Sequence, residues 1–341
     1  MIAGPVLALV PPDGAAEVSP AALLLGLPMV RRTVLAARRA GFERVVVASP
    51  TAEVLGALHG ASAERVDAPP PGATTLPWNH VVGVRELEAL RRGDASAVGV
   101  PLSRGSDRPR AERLLLRGLI KDTEGFMSRH FDRKISLAVS RRIANTSITP
   151  DHMTIVATAI GVASAPFFVS DRASIQWIGG ALFLLHSILD GCDGELARLK
   201  FKESRRGGLL DFWGDNLVHV FVFAGMGVGL ARTVGARWPL WCTVSAVVGT
   251  AASAYFVYWR TMRTPRKGGP LYTSVARGKP TLASRVADAL SRRDFIYLVL
   301  ILSLFGKADW FIVVSAVAVP AFFLVLVGIA LSERGSVERH P

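Results

Sequence analysis

Cysteine is scarce in this chain: Cys192 and Cys242 are the only two among 341 residues, and both stand in apolar stretches. That argues against a disulfide framework, and no Cys/His spacing of the zinc type occurs. No basic stretch interleaved with aromatics occurs either, so the net charge of +13 does not point to nucleic acid. The N-terminus lacks the basic start of a secretory leader, and Met1–Val10 soon meets Pro11 and Pro12. A leader is therefore not expected, and the N-terminal region is expected to stay in the cytoplasm.

Apolar residues, by contrast, make up half the chain, and they are unevenly spread. Up to about residue 150 the sequence is rich in Ala, Arg and Pro, like an ordinary soluble protein. After Met153 it becomes a series of apolar runs with short charged breaks, which predicts an integral membrane domain. About six spans are expected, over 153–170, 175–199, 208–231, 238–260, 294–306 and 309–331; the fifth has a short apolar core. Lys and Arg crowd the loops after the second and fourth runs, whereas the opposite loops carry only Arg172, Arg232, Arg237 and Lys307. By the positive-inside rule the basic loops, the head and the C-terminus face the cytoplasm. The expected location is the cytoplasmic (inner) membrane.

V-L-A-L-V (6–10) and R-V-V-V-A (44–48) read as buried parallel strands, with a helix over Met29–Ala40 between them and Gly41 as its stop. This βαβ unit predicts an α/β head. The expected fold is thus an α/β soluble head followed by an all-α polytopic membrane domain. D-A-P-P-P-G-A (67–73) reads as a loop and Ser103–Arg110 as a linker. In 111–149, Arg and Lys alternate with Leu, Ile and Phe at helical spacing, and Ile135, Val139 and Ile143 form an apolar stripe. Such a helix beside a membrane domain lies in the headgroup layer or packs on the head. The expected divisions are 1–105 for the head, 106–150 for linker and interfacial helix, 151–332 for the membrane domain and 333–341 for a cytoplasmic tail.

Four carboxylates interrupt this apolar half. Asp190 and Asp193 (i, i+3) share one side of the second span, with Gly194 and Ala197 on the same side. Asp211 and Asp215 (i, i+4) share a face of the third, with Gly207 one turn earlier. The break at 201–207 makes the two helices antiparallel neighbours, so the two pairs can converge. Acids within a membrane usually serve a cation or a pathway. Oxygen ligands without Cys or His favour Mg²⁺, Mn²⁺ or Ca²⁺, which in turn recruit phosphate oxygens. Ion pairing with Arg198, Lys200, Lys202, Arg205 or Arg206 would account for one or two of the acids, not for two convergent pairs.

The pattern D190-x-x-D193-G194-x-x-A197-R198-x8-G207-x-x-x-D211-x-x-x-D215 resembles, at every fixed position, the signature of the CDP-alcohol phosphotransferase (CDP-alcohol phosphatidyltransferase) family. The resemblance covers roughly 115–331. It implies transfer of a phospho-alcohol from a CDP-alcohol donor to an acceptor hydroxyl, with release of CMP, and Mg²⁺ or Mn²⁺ as cofactor. It implies that Asp190, Asp193 and Asp211 hold metal, and that Asp215, at the same site, is also the general base. Gly194, Ala197, Arg198 and Gly207 would line the cytidine diphosphate. Family members are often dimers, so the implied partners include a second copy besides membrane lipids and the two substrates.

T-S-I-T-P-D-H-M-T (146–154) resembles the family's T-P-N-x-x-T entry, with Asp151 expected to cap the helix that starts there and Thr154 to pack or cap. His186 and His219 lie one turn from Asp190 and Asp215 and read equally as site or packing residues. In T-P-R-K-G-G-P-L-Y (264–272), Arg266 and Lys267 are candidates to bind an anionic acceptor, such as an inositol or sugar phosphate. The head segment 23–48 resembles a sugar-phosphate nucleotidyltransferase, but its phosphate loop is replaced by V-P-P-D-G-A-A-E-V-S-P (10–20). That layout resembles the di-inositol phosphate synthase branch of the family, with a degenerate head. A lipid donor stays open. The competing readings are an intramembrane prenyltransferase, which also binds diphosphate through Asp-rich helices, and a non-enzymatic membrane anchor or interaction protein.

Overall fold

The computed structural model describes residues 5–14, 17–120, 127–263 and 295–337, grouped in two compact units. The first takes the described residues within Met1–Asp122 together with Leu137–Ile148 and Glu195–Lys202; the second takes the described remainder.

Among the described residues of the first unit there are eight short strands: β1 (Val6–Val10), β2 (Leu23–Leu24), β3 (Leu27–Pro28), β4 (Arg44–Ala48), β5 (Glu64–Val66), β6 (Thr74–Pro77), β7 (His80–Val81) and β8 (Val100–Pro101). Four of them form a parallel sheet in the order β5-β4-β1-β6. The continuous apolar runs of β1 and β4 are what a sheet covered on both faces requires. Helix α1 (Met29–Arg39) buries Val30, Val34 and Ala37, one stripe at helical spacing, and Gly41 ends it at φ +89°. Leu7, Leu9, Val45, Val47, Leu76 and Leu87 join this stripe in one core. The expected α/β region is therefore present. Its topological switch point lies at the carboxyl ends of β1 and β6, where open α/β sheets take ligands. Here β1 runs into Pro11 and Pro12, which have no N–H to offer a phosphate, and the Trp78 N–H is spent on the Val10 carbonyl at 3.0 Å.

Three further helices of this unit are α2 (Ala52–Ala57), α3 (Val84–Arg91) and α4 (Arg108–Arg117). Helix α4 starts inside the stretch expected to be a linker; Pro109 suits a first turn, where its missing N–H costs nothing. Arg32 is buried and donates from Nη2 to the Leu24 and Leu25 carbonyls, each at 2.8 Å. Burial lowers its pKa to about 10, which still leaves it charged at neutral pH. It fixes the β2–β3 turn, where Leu25 and Gly26 have φ of 48° and 90°. The Gly26 N–H donates to Asn145 Oδ1 at 2.8 Å, and a Cβ there would stand 2.4 Å from the Ala144 carbonyl oxygen. Lys200 Nζ donates to the Thr146 and Ile148 carbonyls at 2.9 and 2.8 Å. Glu112, buried on α4, accepts from Arg108 and Arg141.

Among the described residues the remaining helices are α5 (Arg133–Ile143), α6 (Pro150–Ser164), α7 (Ala173–Lys200), α8 (Arg205–Val234), α9 (Trp238–Val257), α10 (Phe295–Leu304) and α11 (Phe311–Val337). Among the described residues five stretches are long and apolar enough to cross a membrane: Pro150–Val169, Ala173–Lys200, Arg205–Val234, Trp238–Met262 and Ala308–Ser332. The chain thus has the helices of an integral membrane protein. The expected fifth span is represented by α10, whose ten described residues give about 15 Å of helix against the roughly 30 Å of a bilayer core.

In the second unit α8 packs on α6 and α9, and α9 packs on α11. Gly225 and Gly229 of α8 allow this: a Cβ at either would stand about 2 Å from the Ala165 or Phe168 carbonyl oxygen (2.2 and 2.1 Å). On α5 the inward residues are Ser136, Ser140 and Ala144, whereas Ile135 of the apolar stripe is half exposed. Thr149, not Asp151, caps α6, accepting from the His152 N–H at 3.2 Å, because its position one residue before Pro150 is the true N-cap.

Gly26→Ala is expected to cost the first unit about 1–3 kcal/mol, since it pairs a left-handed backbone with a clash against a carbonyl. Hydrogen exchange should read this as faster exchange across 23–28 and 143–148, with α8 and α9 unchanged.

Candidate functional site

The acids sit on the two helices that meet at the 201–204 break. Ser204 caps α8, accepting from the Gly207 N–H at 3.0 Å, so the helix starts where Gly207 keeps its first turn slim. A Cβ on Gly207 would lie 3.1 Å from Asp151 Oδ1. Counting away from the break, Asp193 and Asp211 lie about two turns in, and Asp190 and Asp215 about one turn deeper.

Asp190, Asp211 and Asp215 converge: one carboxylate oxygen from each lies within 4.8 Å of the others. Asp190 is buried, and the other two are partly buried. Their donor set is hard oxygen, which fits a divalent cation such as Mg²⁺, Mn²⁺ or Ca²⁺ and does not favour a soft metal. Asp193 is not in that cluster. Its Oδ2 accepts a hydrogen bond from Thr154 Oγ1 of α6, and both residues are buried. Residues three apart on a helix differ by about 60° in direction, enough for Asp190 to meet α8 while Asp193 meets α6.

His186 faces Asp215, with Nε2 3.6 Å from Oδ1, while its Nδ1 is 2.9 Å from the Ala157 carbonyl oxygen. His219, one turn beyond Asp215, is surrounded by the rings of Phe183, Phe223 and Phe295 at 5.8–6.2 Å. Its ring packs among these aromatics. Gly194 lies on α7 beside Asp193 and is partly buried. Ala197 and Arg198 fall within the first unit and are not part of the acidic cluster described here. Arg266 and Lys267 lie outside the described residues.

Three contacts escaped the sequence reading. Arg133 places Nη1 3.1 Å from where a Cβ on Gly191 would stand, so this small residue between two motif positions makes room for a guanidinium. Cys192 Sγ reaches the Ser136 carbonyl at 3.5 Å. Glu195, fully buried at a variable position of the motif, accepts from Ser140 Oγ at 2.6 Å. A carboxylate at 195 inside an apolar helix was the available signal for this last pair.

Comparison with known proteins places this arrangement. Residues 147–322 match the model of the CDP-alcohol phosphatidyltransferase family. A bifunctional IPC transferase and DIPP synthase from Thermococcus kodakarensis is 36% identical over 149 residues, 43% of this chain and 32% of that protein. One of the same description from Archaeoglobus fulgidus is 28% identical over 231 residues, 66% of this chain and 43% of that protein. An archaetidylinositol phosphate synthase from Pyrococcus horikoshii is 29% identical over 169 residues, 48% of this chain and 82% of that protein. The chain therefore spans 32% and 43% of the length of the two bifunctional relatives, less than half of either.

Thr154→Val is expected to lower stability by about 1–3 kcal/mol, because it strips a hydroxyl donor from a buried carboxylate. Thermal unfolding in detergent checks this, and Thr154→Ser should stay close to wild type.

Proposed function

Since the chain belongs to the CDP-alcohol phosphatidyltransferase family, we propose that it moves a phospho-alcohol from a CDP-alcohol to an acceptor hydroxyl and releases CMP. The observation that carries this reading is the convergence of Asp190, Asp211 and Asp215 from two antiparallel helices. Mg²⁺ or Mn²⁺ held by these three, with Asp193 adjoining, would spread the negative charge of the diphosphate. Asp215 takes the proton of the acceptor hydroxyl. The freed oxygen bonds to the phosphorus that carries the donated alcohol, and the bond from that phosphorus to the bridging oxygen breaks. CMP leaves with the electron pair. Gly194 and Gly207 leave room for the diphosphate, and Ala197 and Arg198 complete the nucleotide side.

Acceptor binding is assigned to Arg266 and Lys267, on their sequence position alone. An inositol-phosphate acceptor or donor is favoured by the descriptions of the relatives, and a lipid CDP-alcohol is the second candidate. The wider layout belongs to the same proposal. A nucleotidyltransferase-like head over 1–105 no longer acts on nucleotide, in line with the prolines at its switch point. Linker and interfacial helix occupy 106–150, and six spans occupy 151–332, in the cytoplasmic membrane with head and site facing the cytoplasm. The half-exposed Ile135 on α5, outside its Ser136–Ser140 packing face, supports the interfacial placement. So does the set Arg205, Arg206, Arg260 and Arg263 at one end of α8 and α9, against Arg232 and Arg237 at the other. Association into a homodimer is included.

The test is CMP release by the purified chain in liposomes, with CDP-diacylglycerol or CDP-inositol against inositol phosphates, glycerol phosphate and serine. Release should require Mg²⁺ or Mn²⁺, and Asp215→Asn should lower it by about 10²- to 10⁴-fold. Metal-independent release, or an unaffected Asp215→Asn, would refute the mechanism.

A further inference from the structure

Helix α5 lies against the last turns of α7, and its contacts step along both helices in the same order. Arg133 Nη1 is 3.1 Å from the Cβ position of Gly191, Cys192 Sγ reaches the Ser136 carbonyl at 3.5 Å, and Ser140 Oγ donates to Glu195 Oε2 at 2.6 Å. The first two contacts fall within the second unit and the third within the first, and α7 is one unbroken helix through all of them. Counted from Asp190 at about 100° per residue, Gly191, Glu195 and Cys192 point to about 100°, 140° and 200°, and Asp193 to about 300°. The α5 side of α7 is thus roughly opposite the midpoint of the two aspartates. Helix α7 is held from both sides, by Thr154 of α6 on Asp193 and by Ser140 of α5 on Glu195. Of the three contacts with α5, the last is the one that tells one register from the next. The first involves the far end of a flexible guanidinium and the second a weak thiol donor, and both tolerate a small slide. Ser140 and Glu195 are each 0% exposed. A shift of α7 by one residue would take the carboxylate from that hydroxyl and leave it short of a donor out of reach of water, the costly way to lose a hydrogen bond.

From this geometry we infer that Glu195 is a positioning residue for the metal site: held by Ser140, it fixes the rotation of α7 at which Asp190 meets Asp211 and Asp215 while Asp193 meets Thr154. A leucine at 195 would fill the same space without fixing a register, and setting register is the best-attested use of a buried polar group. The inference rests on the metal-binding part of the reading above, not on the identity of the substrates.

The experiment is Mn²⁺ binding to the purified full chain in detergent, well below the unfolding midpoint, followed by the electron paramagnetic resonance of free Mn²⁺, with Asp211→Asn as the site control. Glu195→Gln removes the charge but keeps an acceptor for Ser140, and should bind Mn²⁺ like wild type. Glu195→Leu and Ser140→Ala each break the pair, and each should weaken binding about 3- to 30-fold. The double variant should lose no more than the larger single loss, as expected for two halves of one contact. Wild-type affinity in Glu195→Leu and Ser140→Ala would overturn the inference whatever their midpoints, since the pair would then serve stability alone. A loss in Glu195→Gln as large as in Glu195→Leu would also overturn it, because the effect would be that of a charge and not of a hydrogen bond. So would losses that add in the double variant. If Glu195→Leu fails to fold, Ser140→Ala set against Glu195→Gln decides by the same criteria. If wild type binds no Mn²⁺, the inference falls with the metal site. Mn²⁺ binding of the expected pattern without CMP release from any donor would instead refute the proposed reaction and leave Glu195 in its role.

Discussion

Holding like charges together is the constraint on which the rest of this membrane unit depends. Three carboxylate oxygens within 4.8 Å repel by roughly 3–4 kcal/mol per ionised pair at an effective dielectric constant of about 20. Left to themselves the helices bearing them would slide or turn until the acids parted. The scaffold opposes this at several points. Ser204 fixes the start of α8, and the Gly225–Gly229 face brings α8 against the 165–168 backbone. That close packing keeps the carboxylates of α7 and α8 adjacent.

Much of this was legible in the sequence. The spacings of three and four put each pair of aspartates on one helix side, and the short break between the apolar runs put the pairs at matching levels. Strands β1 and β4 were visible for a similar reason, because five and four consecutive apolar residues between turn signals fit little else. What was not legible depended on partners distant in the chain. Asp193 turns to Thr154, 39 residues away, because a difference of about 60° around α7 selects a different neighbour. The periodic pattern fixes a side and not the helix that will occupy it.

Helix α5 shows a second limit. Its apolar stripe was conspicuous, yet the surface it packs with is the inconspicuous one, Ser136, Ser140 and Ala144. Small polar residues allow close approach of backbones and supply hydroxyls, as Ser140 does for Glu195. The large apolar residues remain for whatever surrounds the helix. The stripe at 135, 139 and 143 told that the helix has two faces; that small Ser136 and Ser140 form the buried one was not legible from hydrophobicity.

The first unit is assembled from three separate pieces of chain, the last of them Glu195–Lys202, and Phe201 lies against the core that includes Leu7 and Val45. During synthesis the head therefore cannot make its last contacts when its own sheet has emerged. It must wait for residue 202, by which time α6 and all of α7 have been made. Completion of the first unit is thus tied to completion of α7: a chain that stalls before residue 201 leaves that core without the ring that covers it.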